Sequence, residues 1–285
     1  MMMERYFSFA GVDITLAMPQ ERMFSDDRAL AAFAAEPGAD PHRFDFSFVD
    51  ALAAPEGQLV ANPGGFLAYS DGETDTRYFG SVSDGWRSAY LRVAHRGKEH
   101  RVEAKNSSFP GRIGTHTVLG ALSAEHLVLD AGGVVFHASY ILYQGKAILF
   151  TAPSGTGKST QADLWKDLRG ARIINGDRAV IRVIDGQTVA CGIPFAGSSE
   201  YCDNVTAPLA AIVYLSQAPQ TTISRLSGFR AFRRVWEGCS VNTWDRTDVE
   251  KATGIVETII RRVPVYYLPC TPDESAVAAL EGVLL

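Results

Sequence analysis

Apolar positions in the first third of the chain come in short alternating runs, the mark of half-buried strands. Tyr6-Phe7-Ser8-Phe9 and Val12-Asp13-Ile14-Thr15-Leu16 form two such runs around Ala10-Gly11. Arg43-Phe44-Asp45-Phe46-Ser47-Phe48 alternates strictly, which puts its three phenylalanines on one face. Phe66-Leu67-Ala68-Tyr69, Arg77-Tyr78-Phe79 and Ala89-Tyr90-Leu91-Arg92-Val93 add further strands, with Asp71-Gly72 and Arg96-Gly97 as turns. One alanine-rich helix is predicted from Ser25, as its N-cap, to Ala35. Residues 1–105 therefore read as a β-rich N-terminal domain that carries no chemical motif.

Asn106-Ser107-Ser108-Phe109-Pro110-Gly111 reads as a linker, and residues 106–285 follow a different rhythm. Thr115–Glu125 has helical spacing, and Val134-Val135-Phe136 is a short strand. Ile141-Leu142-Tyr143 and Ala147-Ile148-Leu149-Phe150 flank Gln144-Gly145-Lys146, which predicts a hairpin. A helix over Lys158–Leu168 leads to the strand Ile173-Ile174. A second hairpin joins Ala179–Ile184 to Thr188-Val189-Ala190 through Asp185-Gly186. Val249–Arg262 and Glu274–Val283 are helical, with Val265-Tyr266-Tyr267-Leu268 a buried strand between them.

Composition narrows the class without naming it. The 285 residues are 46% hydrophobic and 21% charged, as in a soluble globular protein with a real core. No apolar run is long enough to cross a bilayer, so no membrane partner is expected. The start, Met1-Met2-Met3-Glu4-Arg5-Tyr6, lacks the apolar run of a signal peptide, so a cytoplasmic location is expected. A formal net charge of −5 disfavours nonspecific nucleic-acid binding. Cys191, Cys202, Cys239 and Cys270 are scattered, which suits reduced thiols better than disulfides or a zinc site.

One segment carries chemistry outright. Ala152-Pro153-Ser154-Gly155-Thr156-Gly157-Lys158-Ser159-Thr160 lies between the strand ending at Phe150 and a helical stretch. Strand, glycine loop and helix start form the context in which a P-loop cradles a polyphosphate. The glycines let backbone N–H groups turn inward, and the helix start adds partial positive charge. Ser154, Gly155, Thr156, Gly157, Lys158, Ser159 and Thr160 are thus candidate nucleotide-binding residues, with Lys158 reaching the β- and γ-phosphates and Ser159 holding Mg²⁺. Ala152 replaces the usual first glycine, which alanine can do where the local φ is negative.

Phosphoryl transfer also needs a carboxylate for the metal or for the attacking hydroxyl. Asp177 is the candidate for both roles, because a strand–loop–helix–strand unit returns its strand end to the loop. His137, just after Val134-Val135-Phe136, is a second candidate, functional or merely structural. In Gly192-Ile193-Pro194-Phe195-Ala196-Gly197-Ser198-Ser199-Glu200, the side chains of Ser198, Ser199 and Glu200 suit a substrate or metal loop, and equally a plain surface loop. Arg225, Arg230, Arg233 and Arg234 surround Phe229, Phe232 and Trp236, whose spacing puts the three rings on one helix face. Those arginines make either a solvated face or an anchor for the γ-phosphate or an acidic substrate.

The order His137, hairpin, Ser154-Gly155-Thr156-Gly157-Lys158-Ser159, short helix, Asp177-Arg178, hairpin resembles the core of the bacterial HPr kinase/phosphorylase family. The wider group includes the ATP-dependent phosphoenolpyruvate carboxykinases, and the resemblance spans Gly132–Leu215. It implies an α/β fold: a P-loop kinase domain with a mixed sheet, beside the β-rich N-terminal domain. It also implies ATP and Mg²⁺, metal contact through Ser159, and a place for His137 beside the transferred phosphate. The family has two adjacent acids where this chain has Gly176-Asp177, and Glu200 is a candidate for the missing one. The family's long substrate motif is not recognisable here, so the acceptor need not be HPr. The resemblance is to the divergent HPr kinase-like members, some of which phosphorylate peptide precursors. The expected activity is ATP- and Mg²⁺-dependent transfer to a hydroxyl of a peptide or protein serine or of a small metabolite, with Asp177, His137 and Lys158 catalytic. The alternatives are a non-catalytic nucleotide sensor and an enzyme running the reverse reaction.

Overall fold

The structure, a computed structural model, describes residues 1–24, 28–82, 84–197, 199 and 201–284. Its fold class is α/β with mixed sheets. One compact unit comprises Met1–Ser8 and Val12–Ser123; the other comprises Phe9–Gly11 and Ala124–Leu285.

The first unit is built on β1 (Met2–Phe9), β2 (Val12–Pro19), β3 (His42–Val49), β4 (Gln58–Ala61), β5 (Phe66–Ser70), β6 (Asp75–Gly80), β7 (Ala89–Arg96) and β8 (Glu99–Lys105). They form one sheet in the order β1-β2-β3-β8-β7-β6-β5-β4. The pairs β2·β3 and β3·β8 are parallel, and β4 to β8 form an antiparallel meander. Strict alternation in β3 buries Phe44 and Phe46, while Phe48 at the strand end stays half-exposed.

Two helical expectations change here. The helix foreseen over Ser25–Ala35 is only α1 (Arg28–Ala31), and Ser25 lies outside the described residues. The downstream alanines are taken by sheet pairing instead: Ser8 N–H donates to Phe33 C=O at 2.9 Å and Ala35 N–H to Tyr6 C=O at 3.0 Å. With Phe33 fully buried, tertiary pairing overrides alanine's helix propensity. Likewise, Thr115–Glu125 is not one helix but α2 (Thr115–Ala121) and the start of α3 (Ala124–Asp130). Ser123 sits at φ 51°, which ends the helical run, and its Oγ lies 3.0 Å from His95 Nε2.

That contact ends a buried imidazole chain that the sequence pattern does not announce. His42 Nδ1 lies 3.0 Å from His100 Nε2, and His100 Nδ1 lies 3.0 Å from His95 Nδ1. A neutral imidazole supplies one donor and one acceptor, so successive rings in such a chain can alternate the two roles. Phe44 stacks on His100 at 4.1 Å between ring centroids.

The second unit starts at α3 and continues with β9 (Gly133–His137), β10 (Ser139–Tyr143), β11 (Lys146–Thr151), α4 (Lys158–Arg169), β12 (Arg172–Asn175), β13 (Arg178–Ile184) and β14 (Gln187–Cys191). It is completed by β15 (Thr206–Gln217), β16 (Ser224–Leu226), α5 (Gly228–Gly238), β17 (Cys239–Ser240), α6 (Arg246–Arg262), β18 (Val265–Cys270) and α7 (Glu274–Leu284). The strand order is β12-β10-β11-β15-β14-β13-β9-β17, with β18 paired to β15 and to β16. The predicted hairpins β10–β11 and β13–β14 turn at Gln144-Gly145 and Asp185-Gly186. All four turn residues have φ between 49° and 78°, the backbone a two-residue hairpin of type I′ requires.

β11 is buried on both faces, which explains its unbroken apolar run. Ala147 and Leu149 point into a core completed by Ala231 and Val235 of α5 and by Val256 and Ile259 of α6. Ile148 and Phe150 point the other way, onto Ala162 and Trp165 of α4 and Val277 and Leu280 of α7. The strand that delivers the glycine loop is thus clamped between two helical layers. Trp165 is fully buried, and truncating such a side chain costs about 3–5 kcal/mol. No described helix is long and apolar enough to cross a membrane.

Candidate functional site

The glycine loop occupies the six residues between Thr151, the last of β11, and Lys158, the first of α4. Gly155 at φ 76° and Gly157 at φ 124° take backbone conformations that side-chain-bearing residues rarely adopt. These glycines set the inward turn of the loop. Ala152 is not among the residues of positive φ, so alanine stands there without strain. The first turn of α4 holds no acidic residue, leaving its partial positive charge uncompensated. Pro153, Ser154, Gly155, Ser159 and Thr160 are exposed, whereas Thr156, Gly157 and Lys158 are half-buried. Lys158 Nζ donates to Ala152 C=O at 3.0 Å. Burial pushes this ammonium below the usual lysine range, and the Asp177 carboxylate partly offsets the effect.

Strand pairing explains why Asp177 lies near a lysine nineteen residues earlier in the chain. β10 is antiparallel to both β11 and β12, pairing Ser139 with Phe150 and Tyr140 with Asn175. The C-terminal ends of β11 and β12 therefore flank the same two residues. The chain then turns through Gly176-Asp177 into β13, where Arg178 pairs with His137. Three further bonds lock this corner. Ala138 N–H donates to Asp177 C=O at 2.9 Å, Ser139 Oγ–H to Gly176 C=O at 3.0 Å, and Thr151 Oγ1–H to His137 C=O at 2.9 Å.

Asn175 is the residue that sequence reasoning missed. It is completely buried, and its amide is fully used. Oδ1 accepts from the N–H groups of Asp177 and Arg178, both at 2.9 Å. Nδ2 donates to Ile193 C=O at 3.1 Å and Phe195 C=O at 3.0 Å. One side chain thus fixes both the Asp177 turn and the loop that follows β14. An Asn two residues before an Asp at a strand end is an Asx-turn signal, but its second pair of partners is eighteen and twenty residues away.

That loop passes directly over Asp177. Gly197 has φ 59°, and a Cβ added there would lie 2.7 Å from Asp177 Cγ. Ser199 turns its hydroxyl back onto Ala196 C=O at 2.9 Å, and a Cβ on Gly176 would collide with it. The space where a second adjacent acid would sit is therefore filled. Ser198 and Glu200 lie outside the described residues.

His137 Nδ1 stands 3.4 Å from Asp177 Oδ1, and Arg178 Nε donates to Asp177 Oδ2 at 3.2 Å. Burial and then the nearby Lys158 push the imidazole below the usual histidine range, against the pull of Asp177. His137 is thus neutral at neutral pH and has both a donor and an acceptor nitrogen.

Two open pockets meet the loop from different sides. One, of about 390 Å³, is lined by Gly155, Thr156, Gly157, Thr160 and Gln161 with Ser216, Gln217 and Cys270. The other, of about 420 Å³, joins His137, Thr151, Pro153 and Ser154 to Tyr214, Arg234 and Glu237. Of the four late arginines, only Arg234 lines this second pocket. Arg225 lies in β16 rather than on the helix, and Arg233 is tied to Glu237 at 2.8 Å. Phe229, Phe232 and Trp236 all lie on α5, where Phe232 stacks on Trp236, while Phe229, in the first turn, is 79% exposed. The buried stripe of α5 is Ala231, Val235 and Gly238. Among the described residues, no group of three or more His, Cys, Asp and Glu side chains gathers to hold a metal.

No family model matches the chain, and no curated protein does. Among solved structures, the chain is similar to the Hpr(Ser) kinase/phosphatase from Coxiella burnetii, with 11% identity and a TM-score of 0.32 over 53% of this chain and 87% of that chain. At that level the likeness carries no argument, and the functional reading rests on the residues of the site.

Proposed function

We propose that this protein is a phosphotransferase that moves the γ-phosphoryl group of ATP to a hydroxyl. The observation that supports this most is the convergence of Lys158, Asp177 and His137 on one corner. The corner is built by strand register and locked by hydrogen bonds. The loop amides and Lys158 hold the polyphosphate. The Ser159 hydroxyl and the Asp177 carboxylate are hard oxygen donors of the kind Mg²⁺ takes together with phosphate oxygens. When bound there, Mg²⁺ would neutralise charge on the phosphates.

The acceptor oxygen bonds to the γ-phosphorus as the bond to the β,γ-bridging oxygen breaks, and ADP leaves with that electron pair. Asp177 takes the hydroxyl proton, and neutral His137 donates a hydrogen bond to the transferring group. In this reading the pocket containing His137 receives the acceptor, and the pocket on the Thr160–Gln161 side receives the rest of the nucleotide. The test is ATP-dependent phosphorylation across a panel of hydroxyl compounds and peptides. Lys158→Ala should abolish transfer, and unchanged transfer would overturn the assignment.

A further inference from the structure

Arg234 is held in one pose on the wall of the acceptor pocket. Its guanidinium carbon lies 4.2 Å from the Tyr214 ring centroid. Its Nη1 donates to Tyr214 OH at 3.1 Å and to Glu237 Oε2 at 2.8 Å. A planar guanidinium has five N–H groups, and these two bonds use both on Nη1. Among the described residues, none accepts from Nε–H or from either N–H of Nη2. The Nε/Nη2 edge is the side-on fork that takes two oxygens of a carboxylate in parallel. The side chain is one-third exposed, so it keeps access to solvent and ligand. Glu237 also pairs with Arg233, so this cluster of two arginines and one glutamate carries a net positive charge.

We infer that the acceptor is a small hydroxy acid, whose carboxylate docks on the Nε/Nη2 edge of Arg234 while its hydroxyl faces His137 and Asp177. The inference rests on the phosphotransferase reading and adds the substrate class to it. The pocket's volume of about 420 Å³ exceeds that of a small hydroxy acid and leaves room for the transferring phosphoryl group beside it. The fork takes two oxygens of a carboxylate or of a phosphomonoester in the same way, so the phosphate arm of the test below separates the two. The Tyr214 stack and the Glu237 bond fix the fork before the acceptor arrives, which lowers the ordering cost of binding.

The test compares acids with their amides, which keep the hydroxyl but lose the anion. L-serine and glycerate are paired with L-serinamide and glyceramide, with glycerol 3-phosphate as the phosphate arm. Nucleotide affinity is measured separately by titration with ATP and Mg²⁺. The wild type should phosphorylate an acid at a kcat/KM roughly 10- to 100-fold above that of its amide. Arg234→Gln should erase that preference through KM, and Arg234→Lys should restore only part of it, because it keeps the charge and loses the fork. Equal turnover of acid and amide, turnover of glycerol 3-phosphate alone, or no turnover of any acid by a protein that binds ATP would overturn the hydroxy-acid assignment and leave the nucleotide site standing. Failure to bind ATP would overturn both.

Discussion

Replacing Asn175 probes whether the site is held by one buried amide. Asn175→Ala removes four hydrogen bonds of 2.9 to 3.1 Å, two to the Asp177 turn and two to the loop above it. At about 1 kcal/mol net for each neutral bond, the full loss is about 4 kcal/mol. Asp177 and Phe195 are half-buried, so water recovers part of this, and a destabilisation of about 2–4 kcal/mol is expected. Urea unfolding with an unchanged m-value measures it. Phosphoryl transfer should fall further than stability alone explains, because the Asp177 carboxylate loses its support.

Asn175→Asp sharpens the test. It keeps the two acceptor bonds but sets an oxygen against the carbonyls of Ile193 and Phe195. Burial and those carbonyls raise the pKa of the introduced carboxyl in the folded state. Its relative stability is then greatest below the unfolded value and is lost as pH rises through the folded one. The deficit against wild type should therefore narrow as pH falls towards about 4. An Asn175→Ala cost under about 1 kcal/mol with an unchanged transfer rate would refute the clamp.

Other expectations follow from the same geometry. Gly197→Ala places a methyl 2.7 Å from Asp177 Cγ at a left-handed φ, so it should cut kcat strongly while costing only about 1–2 kcal/mol in thermal unfolding; unaltered kcat would argue against the loop's contact with Asp177. Burial raises the Asp248 carboxyl pKa, but hydrogen bonds from His126 and Asn242 outweigh it and hold the carboxyl below 3.8. Its contribution is complete above that value and is lost as pH falls through the lower folded value. Asp248→Asn should therefore destabilise most near neutrality, by about 1–3 kcal/mol, and approach wild type in acid; a pH-independent difference in denaturant midpoint would contradict this.

What the sequence made legible is local. The glycine loop, the two second-unit hairpins and the doubly buried run of β11 each announce themselves within a few residues, through backbone constraint or hydrophobic period. The sheet likewise carries the Asp177 turn back beside Lys158. What stayed hidden is set by distant partners. Alanine propensity predicted a helix to Ala35, yet hydrogen bonds to Tyr6 and Ser8 pull those residues into sheet pairing. Ser123 breaks a helical run at a left-handed φ and meets His95 across the unit. Asn175 reads as an ordinary strand residue until Ile193 and Phe195 fold over it. Arg234 is one arginine of four until Tyr214 and Glu237 fix its plane.

Calorimetric titration of ATP in the presence of Mg²⁺, on the wild type, Lys158→Ala and Asp177→Asn, bears most directly on the whole account. The wild type should bind, and Lys158→Ala should bind at least about tenfold more weakly, as loss of a charge-assisted phosphate contact requires. Asp177→Asn should keep most nucleotide affinity but lose transfer. Equal ATP affinity in the wild type and Lys158→Ala would contradict the central claim that this loop and its lysine form a phosphate cradle.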